Sequence, residues 1–361
     1  NPTLTRVLRP FVIAVGLIVM SSAVLGDQAG TARPDALSLT GTDTVKAFIA
    51  SRVQKNWTPP TTPWGDPDIS GVFTKKDEAN TPFERPDEWA GRRMEDITPK
   101  EFAEAIERRQ AGALNRAPRV VPIHWFDNLA AKNQRPWFVI DPPEGKIPAR
   151  VSGAPPEPLI INLQSPPEIV GQAGSDAADT LGDKRSRDVP TDRTWSDRCI
   201  VVGGLWFLPA IYGNSYQILQ TPDYVVLRQE MVHEARMISL DGRPLPNEAI
   251  RPYFGVSRGR WEGNTLVVET TNIHEGMEHR GASAKNLRLI ERFTRTAPDQ
   301  VDWSMTIDDP TVYTRPWTYS IPMTEDNTQL IYEYACHEGN YGMANLLTAG
   351  RLLEKQQQEE R

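Results

Sequence analysis

The segment from residue 199 to 337 alternates apolar and polar residues, and this alternation limits the chain to few folds. In 301–307 every second residue, beginning with Val301, is apolar, and the residues between them are polar. A period of two with one polar face is typical of a half-buried antiparallel strand. Similar segments follow one another without helical patterns between them, which is typical of a sandwich or a barrel. They lie at 200–207, 216–220, 224–229, 235–240, 259–272, 287–296, 300–307, 316–323 and 330–336.

Tight-turn signals separate these segments. The pairs Asp241-Gly242 and Gly263-Asn264 consist of residues that tolerate positive φ, as hairpin turns require. A meander of about nine strands best protects its edge strands by curling closed. The sequence therefore predicts a mainly β fold, in which an antiparallel meander over 199–340 forms a barrel or a sandwich.

Prolines distinguish the region that precedes this meander. The chain contains 31 prolines, and they concentrate before residue 200, where they remove backbone donors and favour extended or turn conformations. For 27–198 we therefore expect long proline-rich extended arms with a few short helices. One helix is predicted over 42–53. A second begins at a capping box of Thr98 and Glu101, with Pro99 at the first helical position.

The first 26 residues carry a hydrophobic segment, which predicts an N-terminal hydrophobic helix. Arg6 and Arg9 precede the segment and small residues follow it, which is the pattern of a secretory signal. The alternative is a retained anchor, although about 16 residues reach only about 24 Å as a helix, less than a hydrocarbon core of ~30 Å. The residues of this membrane anchor are Phe11, Val12, Ile13, Leu17, Ile18 and Val19.

Charge limits the partners and the compartment. A net charge of −7 and a pI near 5.4 argue against nucleic acid, which requires a basic patch. The expected partner of 1–26 is the lipid bilayer. The positive-inside rule places the body of the chain on the periplasmic side, anchored to the inner membrane. The alternative is release into the periplasm after cleavage of the signal.

The two cysteines, Cys199 and Cys336, lie near the two ends of the meander. An exported chain can form a disulfide bond. In a closed barrel the first and last strands are neighbours, so a bond between these residues is geometrically possible. The alternative is two buried free thiols.

Two histidines are each followed by a glutamate, at His233-Glu234 and His337-Glu338. Imidazole and carboxylate groups bind zinc and iron, so His233, His337 and Glu338 are candidates for a ligand or metal site. Their spacing matches no dedicated metal motif such as H-E-x-x-H, and a lone histidine is more often a hydrogen-bonded structural residue. We therefore predict no cofactor and keep a metal ion as the alternative.

The sequence shows no complete catalytic set. It contains no G-x-S-x-G motif, and the paired carboxylates Asp308-Asp309 precede Pro310, as turn residues do. A non-catalytic protein is therefore favoured over an enzyme. Aromatic residues of the meander are candidates for the lining of a ligand cavity in a barrel, with core packing as the alternative. They are Trp261, Trp303, Trp317, Tyr319, Tyr332 and Tyr334.

Several segments together resemble a group of uncharacterised exported bacterial β-proteins. They are RCIVVGGL, PDYVVLRQEMVHEARMISLDGR, GRWEGNTLVVETTNI, TIDDPTVYTRPWT and EYACHEGNYGM, over about 199–350, and WGDPDISGVFT at 64–74. This resemblance implies an exported β fold and brings no particular activity with it. By its type alone, a mostly β body with an anchor and extended arms, the chain is also similar to an extrinsic accessory subunit of a bacterial photosynthetic reaction-centre–antenna complex.

Two functional hypotheses follow. The first is a membrane-anchored extracytoplasmic accessory subunit, whose N-terminal helix and proline-rich arms bind and stabilise a larger membrane protein complex. The alternative is a periplasmic enzyme or small-ligand-binding barrel with a site near His233 and His337. The predicted order is a signal or anchor (1–26), extended arms (27–198), the β domain (199–340) and a C-terminal helix with a polar tail (341–361).

Overall fold

A computed structural model of the chain describes most residues from 43 onward. These are 43–116, 132, 134–154, 189–192, 198–200, 208–209, 213–231, 234–274, 282, 284–328 and 330–359. Within them, no helix is both long and apolar enough to span a bilayer. Outside them lie the predicted N-terminal helix with Phe11, Val12, Ile13, Leu17, Ile18 and Val19, most of the proline-rich stretch 155–198, the strand-like residues 201–207, and His233.

The described residues form three α-helices and ten β-strands. The helices are α1 (Asp43–Arg52), α2 (Pro99–Arg116) and α3 (Tyr341–Glu359). The strands are β1 (Gly71–Thr74), β2 (Val139–Asp141), β3 (Ser215–Gln220), β4 (Tyr224–Gln229), β5 (Ala235–Ser239), β6 (Val256–Glu262), β7 (Thr265–Thr271), β8 (Arg288–Ala297), β9 (Gln300–Asp308) and β10 (Trp317–Glu325).

Helix α2 begins where its capping box predicts. The backbone N–H of Thr98 donates to Glu101 Oε2 at 2.9 Å, and the backbone N–H of Glu101 donates to Thr98 Oγ1 at 3.3 Å. These two bonds satisfy donors that the first turn of a helix otherwise leaves unpaired.

The strands close into a barrel. Hydrogen bonds connect them in the order β1-β3-β4-β5-β6-β7-β8-β9-β10, and a pairing between β10 and β1 completes a ring of nine. Strand β2 adds to β10 as the tenth strand. The mainly β fold and the barrel are therefore confirmed. Closure hides the backbone groups that an open sheet would expose at its edges.

Two features depart from a simple antiparallel meander. Strands β5 and β6 pair in parallel, with Ile238 opposite Ser257, so the antiparallel prediction is wrong for this pair. Parallel neighbours need a longer connection than a hairpin, and residues 240–255 supply it. The last strand-like segment, 330–336, forms no strand, because β10 already pairs with β9, β1 and β2.

The inward faces of the strands form the core. Phe293 of β8 lies opposite Trp303 of β9, which lies opposite Ile321 of β10, and all three are buried. Removing such a side chain from water contributes roughly 1.5–3 kcal/mol. A Cβ atom at Gly259 of β6 would lie 2.8 Å from Ile238, so glycine permits the close approach of β5 and β6.

Residues 134–141 pack against strands β9 and β10 of the barrel. Arg135 is almost fully buried and forms an ion pair with Asp302 of β9, and its guanidinium lies 4.9 Å from the ring centroid of Phe48 in α1. Ile140 packs with the buried residues of the same helix. Part of the region before residue 199 therefore belongs to the folded body.

Candidate functional site

The barrel encloses a cavity between β3, β4, β5, β8, β9 and β10. Its enclosed volume is about 40 Å³, and the whole concavity including its open mouth measures about 510 Å³. Glu234 lines it and is exposed to solvent, so the cavity reaches solvent at the start of β5. The apolar part of the wall consists of Ile218, Leu227, Phe254, Phe293, Trp303 and Met323.

An ion pair crosses the inside of this cavity. Glu291 of β8 is fully buried, and the alternation along the strand places it on the inward face with Phe293. Arg236 of β5 donates from Nη1 to Glu291 Oε2 at 2.6 Å and from Nη2 to Oε1 at 2.9 Å. Trp303 Nε1 also donates to Oε1, at 3.0 Å. The two charges neutralise each other, and the indole is held in a fixed orientation.

A second polar pair, Lys75 and Tyr216, stands beside the same wall. Lys75 is fully buried, and its Nζ donates to the Tyr216 hydroxyl at 2.7 Å. The ammonium nitrogen lies 4.6 Å from the centroid of the Tyr216 ring and 5.8 Å from that of Trp303. Because Tyr216 and Trp303 line the cavity, Lys75 lies directly behind its surface.

Burial changes the protonation of both members of this pair. Loss of water around the amine lowers the pKa of Lys75 well below its ordinary value. Burial raises the pKa of Tyr216 above its ordinary value. The amine of Lys75 therefore loses its proton at a lower pH than an exposed lysine does, while the phenol of Tyr216 keeps its proton to a higher pH than an exposed tyrosine does.

The predicted histidine site lies elsewhere, as far as the structure describes it. His337 and Glu338 are exposed to solvent in the turn before α3, and neither lines the cavity. His233 lies outside the described residues. Among the described residues, no group of three His, Cys, Asp or Glu side chains is arranged to hold a metal ion.

Cys199 and Cys336 form a disulfide bond in the structure. Their Cα atoms lie 5.6 Å apart across a sequence separation of 137. The bond joins the chain before β3 to the chain after β10, and Asn340 Nδ2 donates to the Cys199 sulfur at 3.4 Å. It therefore links the two ends of the main run of strands.

The aromatic candidates divide between the cavity, the core and the surface. Trp303 lines the cavity, Trp317 and Tyr319 are fully buried in the core, and Tyr332 is 70% exposed. Sequence patterns did not predict Tyr216, Arg236 and Glu291 as residues of the cavity. One signal for Glu291 exists in the sequence, because it occupies an inward position between Leu289 and Phe293.

Comparisons with known proteins add no relative. No protein-family model matches the chain, and searches of curated proteins and of solved structures found no match. The likeness to exported bacterial β-proteins therefore depends on the sequence motifs alone and stays a prediction.

Proposed function

We propose that this chain is an extracytoplasmic barrel that binds a small, largely apolar molecule in its interior. The observation that carries the proposal is the apolar concavity inside the closed barrel, which opens to solvent at Glu234. Sites for small molecules are usually apolar concavities with a few convergent polar groups. The interior of a barrel of about eight strands is either filled by side chains or holds one small ligand.

The polar groups favour a ligand without net charge. Glu291 and Arg236 satisfy each other through two hydrogen bonds, so neither presents an unpaired charge to the cavity. A charged ligand beside this pair would lose its hydration without gaining an opposite charge, since the other lining carboxylate, Glu234, lies at the exposed mouth. Aromatic walls at Phe254, Phe293 and Trp303 favour a planar or apolar body.

The disulfide bond supports a location outside the cytoplasm. Bonds of this kind persist in the periplasm and other oxidising compartments and are rare in the cytosol. The predicted hydrophobic helix with Phe11 and Leu17 is consistent with export. We therefore propose that the barrel lies on the periplasmic side of the inner membrane.

Two variants of neighbouring residues in β3 test the binding site. Ile218 is buried and lines the cavity, whereas Leu219 is 46% exposed on the outer face. Filling the cavity through Ile218→Phe is expected to weaken binding of 2-naphthalenemethanol about tenfold, since overpacking costs about 1–3 kcal/mol. Leu219→Phe, the matched control, leaves the affinity unchanged.

Isothermal titration calorimetry on the full chain measures both affinities, and thermal unfolding checks the fold. Met323→Phe, which fills the cavity from β10, serves as a second filling variant if Ile218→Phe is unstable. Absence of saturable binding, or equal affinities in all variants, would overturn the proposal.

An accessory subunit is the second candidate, and exposed apolar side chains near the C-terminus favour it. Leu330, Tyr332, Tyr341 and Leu352 are 65%, 70%, 77% and 57% exposed. Clusters of exposed apolar residues mark contact surfaces for other proteins. We propose that this segment, with the predicted anchor and arms, docks on a membrane protein complex such as a photosynthetic reaction-centre–antenna assembly.

Purification from native membranes in mild detergent tests this second candidate. The chain is expected to migrate with a much larger complex, and Tyr332→Ser with Tyr341→Ser to release it. Ile250→Ser is the control, because Ile250 is 55% exposed on a different part of the chain. A monomer that migrates alone before any substitution would exclude the assembly.

A further inference from the structure

A groove separate from the barrel cavity lies between residues 82–84, residues 147–150 and Tyr313. Its volume is about 570 Å³, and sites for small molecules usually measure roughly 300–1,000 Å³. Ala149 lines the groove and is exposed to solvent, so a dissolved molecule can reach the groove. The described residues that line it are all different from those that line the cavity. The groove is therefore a second candidate site of the chain.

Hydrogen bonds hold the two walls of this groove together. The backbone N–H of Arg85 donates to the Gly145 carbonyl at 2.7 Å. The backbone N–H of Ile147 donates to Glu84 Oε1 at 2.5 Å. Because these bonds join the two walls without any ligand, the groove is formed before a ligand binds, as most sites for small molecules are.

Arg150 supplies the positive charge of the groove. It forms an antiparallel bridge with Tyr313, and the backbone N–H of Thr314 donates to the Ala149 carbonyl at 3.0 Å, which fixes this pairing. The guanidinium lies 5.7 Å from the centroid of the Tyr313 ring, so the ring helps to orient it. A guanidinium has five N–H donors in a planar fork that matches a carboxylate, and it can bind one beside this ring contact.

Most of the remaining lining is apolar. Phe83 belongs to an aromatic cluster, and its ring centroid lies 5.1 Å from that of Tyr319 and 5.9 Å from that of Trp317. A planar, apolar ligand removes its surface from water against such residues. The other apolar residues of the lining are Pro82, Ile147, Pro148 and Ala149.

Glu84 limits the charge that a ligand can carry. It is the only carboxylate among the described residues of the lining, and its Oε1 accepts the hydrogen bond from Ile147. Since like charges repel at short range, the groove disfavours a ligand with several negative charges. A single anionic group that contacts Arg150 is the arrangement that these two charges favour.

We propose that this groove binds a small carboxylic acid with an apolar, aromatic body, whose carboxylate pairs with Arg150. The planar fork of the guanidinium holds the two carboxylate oxygens, and the wall around Phe83 holds the body of the ligand. This site goes beyond the proposed function, because the barrel cavity takes an uncharged molecule and the groove takes an anion.

Isothermal titration calorimetry of the full chain with 2-naphthoate at neutral pH tests the proposal. We expect saturable binding, and Arg150→Gln should weaken it at least about tenfold, since hydrogen bonds between charged groups are the stronger ones. Arg93→Gln is the matched control, because Arg93 is exposed and lies outside the lining. The affinity of this control should equal that of the parent.

Glu84→Gln tests the same charges with the opposite sign. The glutamine oxygen still accepts the hydrogen bond from Ile147, while the groove loses its negative charge. We expect 2-naphthoate to bind about threefold more tightly. Thermal unfolding checks the fold of each variant. Should Arg150→Gln not fold, Glu84→Gln decides the question, because unchanged or weaker binding in this variant overturns the proposal.

The uncharged probe separates this site from the barrel cavity. 2-Naphthalenemethanol carries the same rings without the charge, and its affinity should not change in Arg150→Gln. Ile218→Phe, which fills the barrel cavity, should leave the affinity for 2-naphthoate unchanged. Absence of saturable 2-naphthoate binding, an unchanged affinity in Arg150→Gln, or loss of 2-naphthoate binding in Ile218→Phe overturns the groove as a site. None of these outcomes alters the test of the barrel cavity, which depends on the uncharged probe.

Discussion

Glu78 shows how a single residue makes this fold depend on pH. It is fully buried in the turn after β1. The backbone N–H of Gln134 donates to its Oε1 at 2.7 Å, and Thr81 Oγ1 donates to its Oε2 at 2.9 Å. Loss of water around the carboxyl is the largest influence and raises its pKa from 4.5 to about 7. The folded state therefore favours the protonated acid.

A pH-dependent gain in stability is predicted for Glu78→Gln. Because the folded pKa is raised, the contribution of Glu78 is complete below about pH 4.5 and is lost as the pH rises through about 7. Glutamine keeps the bond from Gln134 and can donate to Thr81, and it has no charge to bury. The variant should match the parent near pH 4 and exceed it by up to about 3 kcal/mol at pH 8.

Urea unfolding at pH 4, 6 and 8 measures this difference. Glu104→Gln, on the exposed face of α2, is the control and should show no trend with pH. A gain for Glu78→Gln that stays constant from pH 4 to pH 8 would contradict the assigned burial effect.

At the scale of elements, two glycines of the hairpin of β6 and β7 are required for different reasons. Gly263 forms the turn with φ +57°, and a Cβ atom there would meet nothing within 4 Å. Gly255 precedes β6 with φ +69°, and a Cβ atom there would lie 2.4 Å from the Thr271 carbonyl oxygen. Only the backbone conformation requires glycine at the turn, whereas Gly255 also requires the missing side chain.

Alanine at these two positions is predicted to have unequal effects. Gly263→Ala should cost about 1–2 kcal/mol, the cost of a left-handed backbone for a residue with a Cβ atom. Gly255→Ala adds a clash with backbone that cannot rotate away, and should cost at least about 3 kcal/mol in total. Urea midpoints of both variants measure the difference, and equal losses would contradict the close approach at Thr271.

At the scale of the whole molecule, the disulfide bond restrains the unfolded chain more than it shapes the barrel. It closes a loop with a sequence separation of 137. In the chain-entropy model a loop of this length stabilises the folded state by about 5 kcal/mol. Neither cysteine lines the cavity, so the site should survive without the bond while the global stability falls.

The double variant Cys199→Ser with Cys336→Ser tests this expectation. Its free energy of unfolding should fall by about 4–5 kcal/mol, with unchanged affinity for 2-naphthalenemethanol. A reductant should lower the stability of the parent and leave that of the double variant unaltered. Equal stability of parent and variant would show that the bond adds nothing to the fold.

Local sequence patterns predict much of this fold. The alternation in 301–307 became β9, and the predicted turn residues Gly242 and Gly263 adopt positive φ. The capping box of Thr98 marks the start of α2. Each of these depends on interactions between residues close in sequence, which a pattern of a few positions records.

Segment 330–336 shows where such patterns fail. Its apolar alternation resembles that of a strand, yet strand formation needs a partner with free backbone groups, and closure of the barrel leaves none beside β10. The parallel pairing of β5 with β6 is likewise not predicted by a local pattern, since it depends on the route of residues 240–255.

The sequence by itself determined the β architecture, because the period of two and the turn residues act over neighbouring positions. Only the tertiary structure decided what the barrel contains. Lys75 meets Tyr216 across 141 positions, and Arg236 meets Glu291 across 55. Such contacts arise when strands distant in sequence close into one ring, and no spacing within a single segment encodes them.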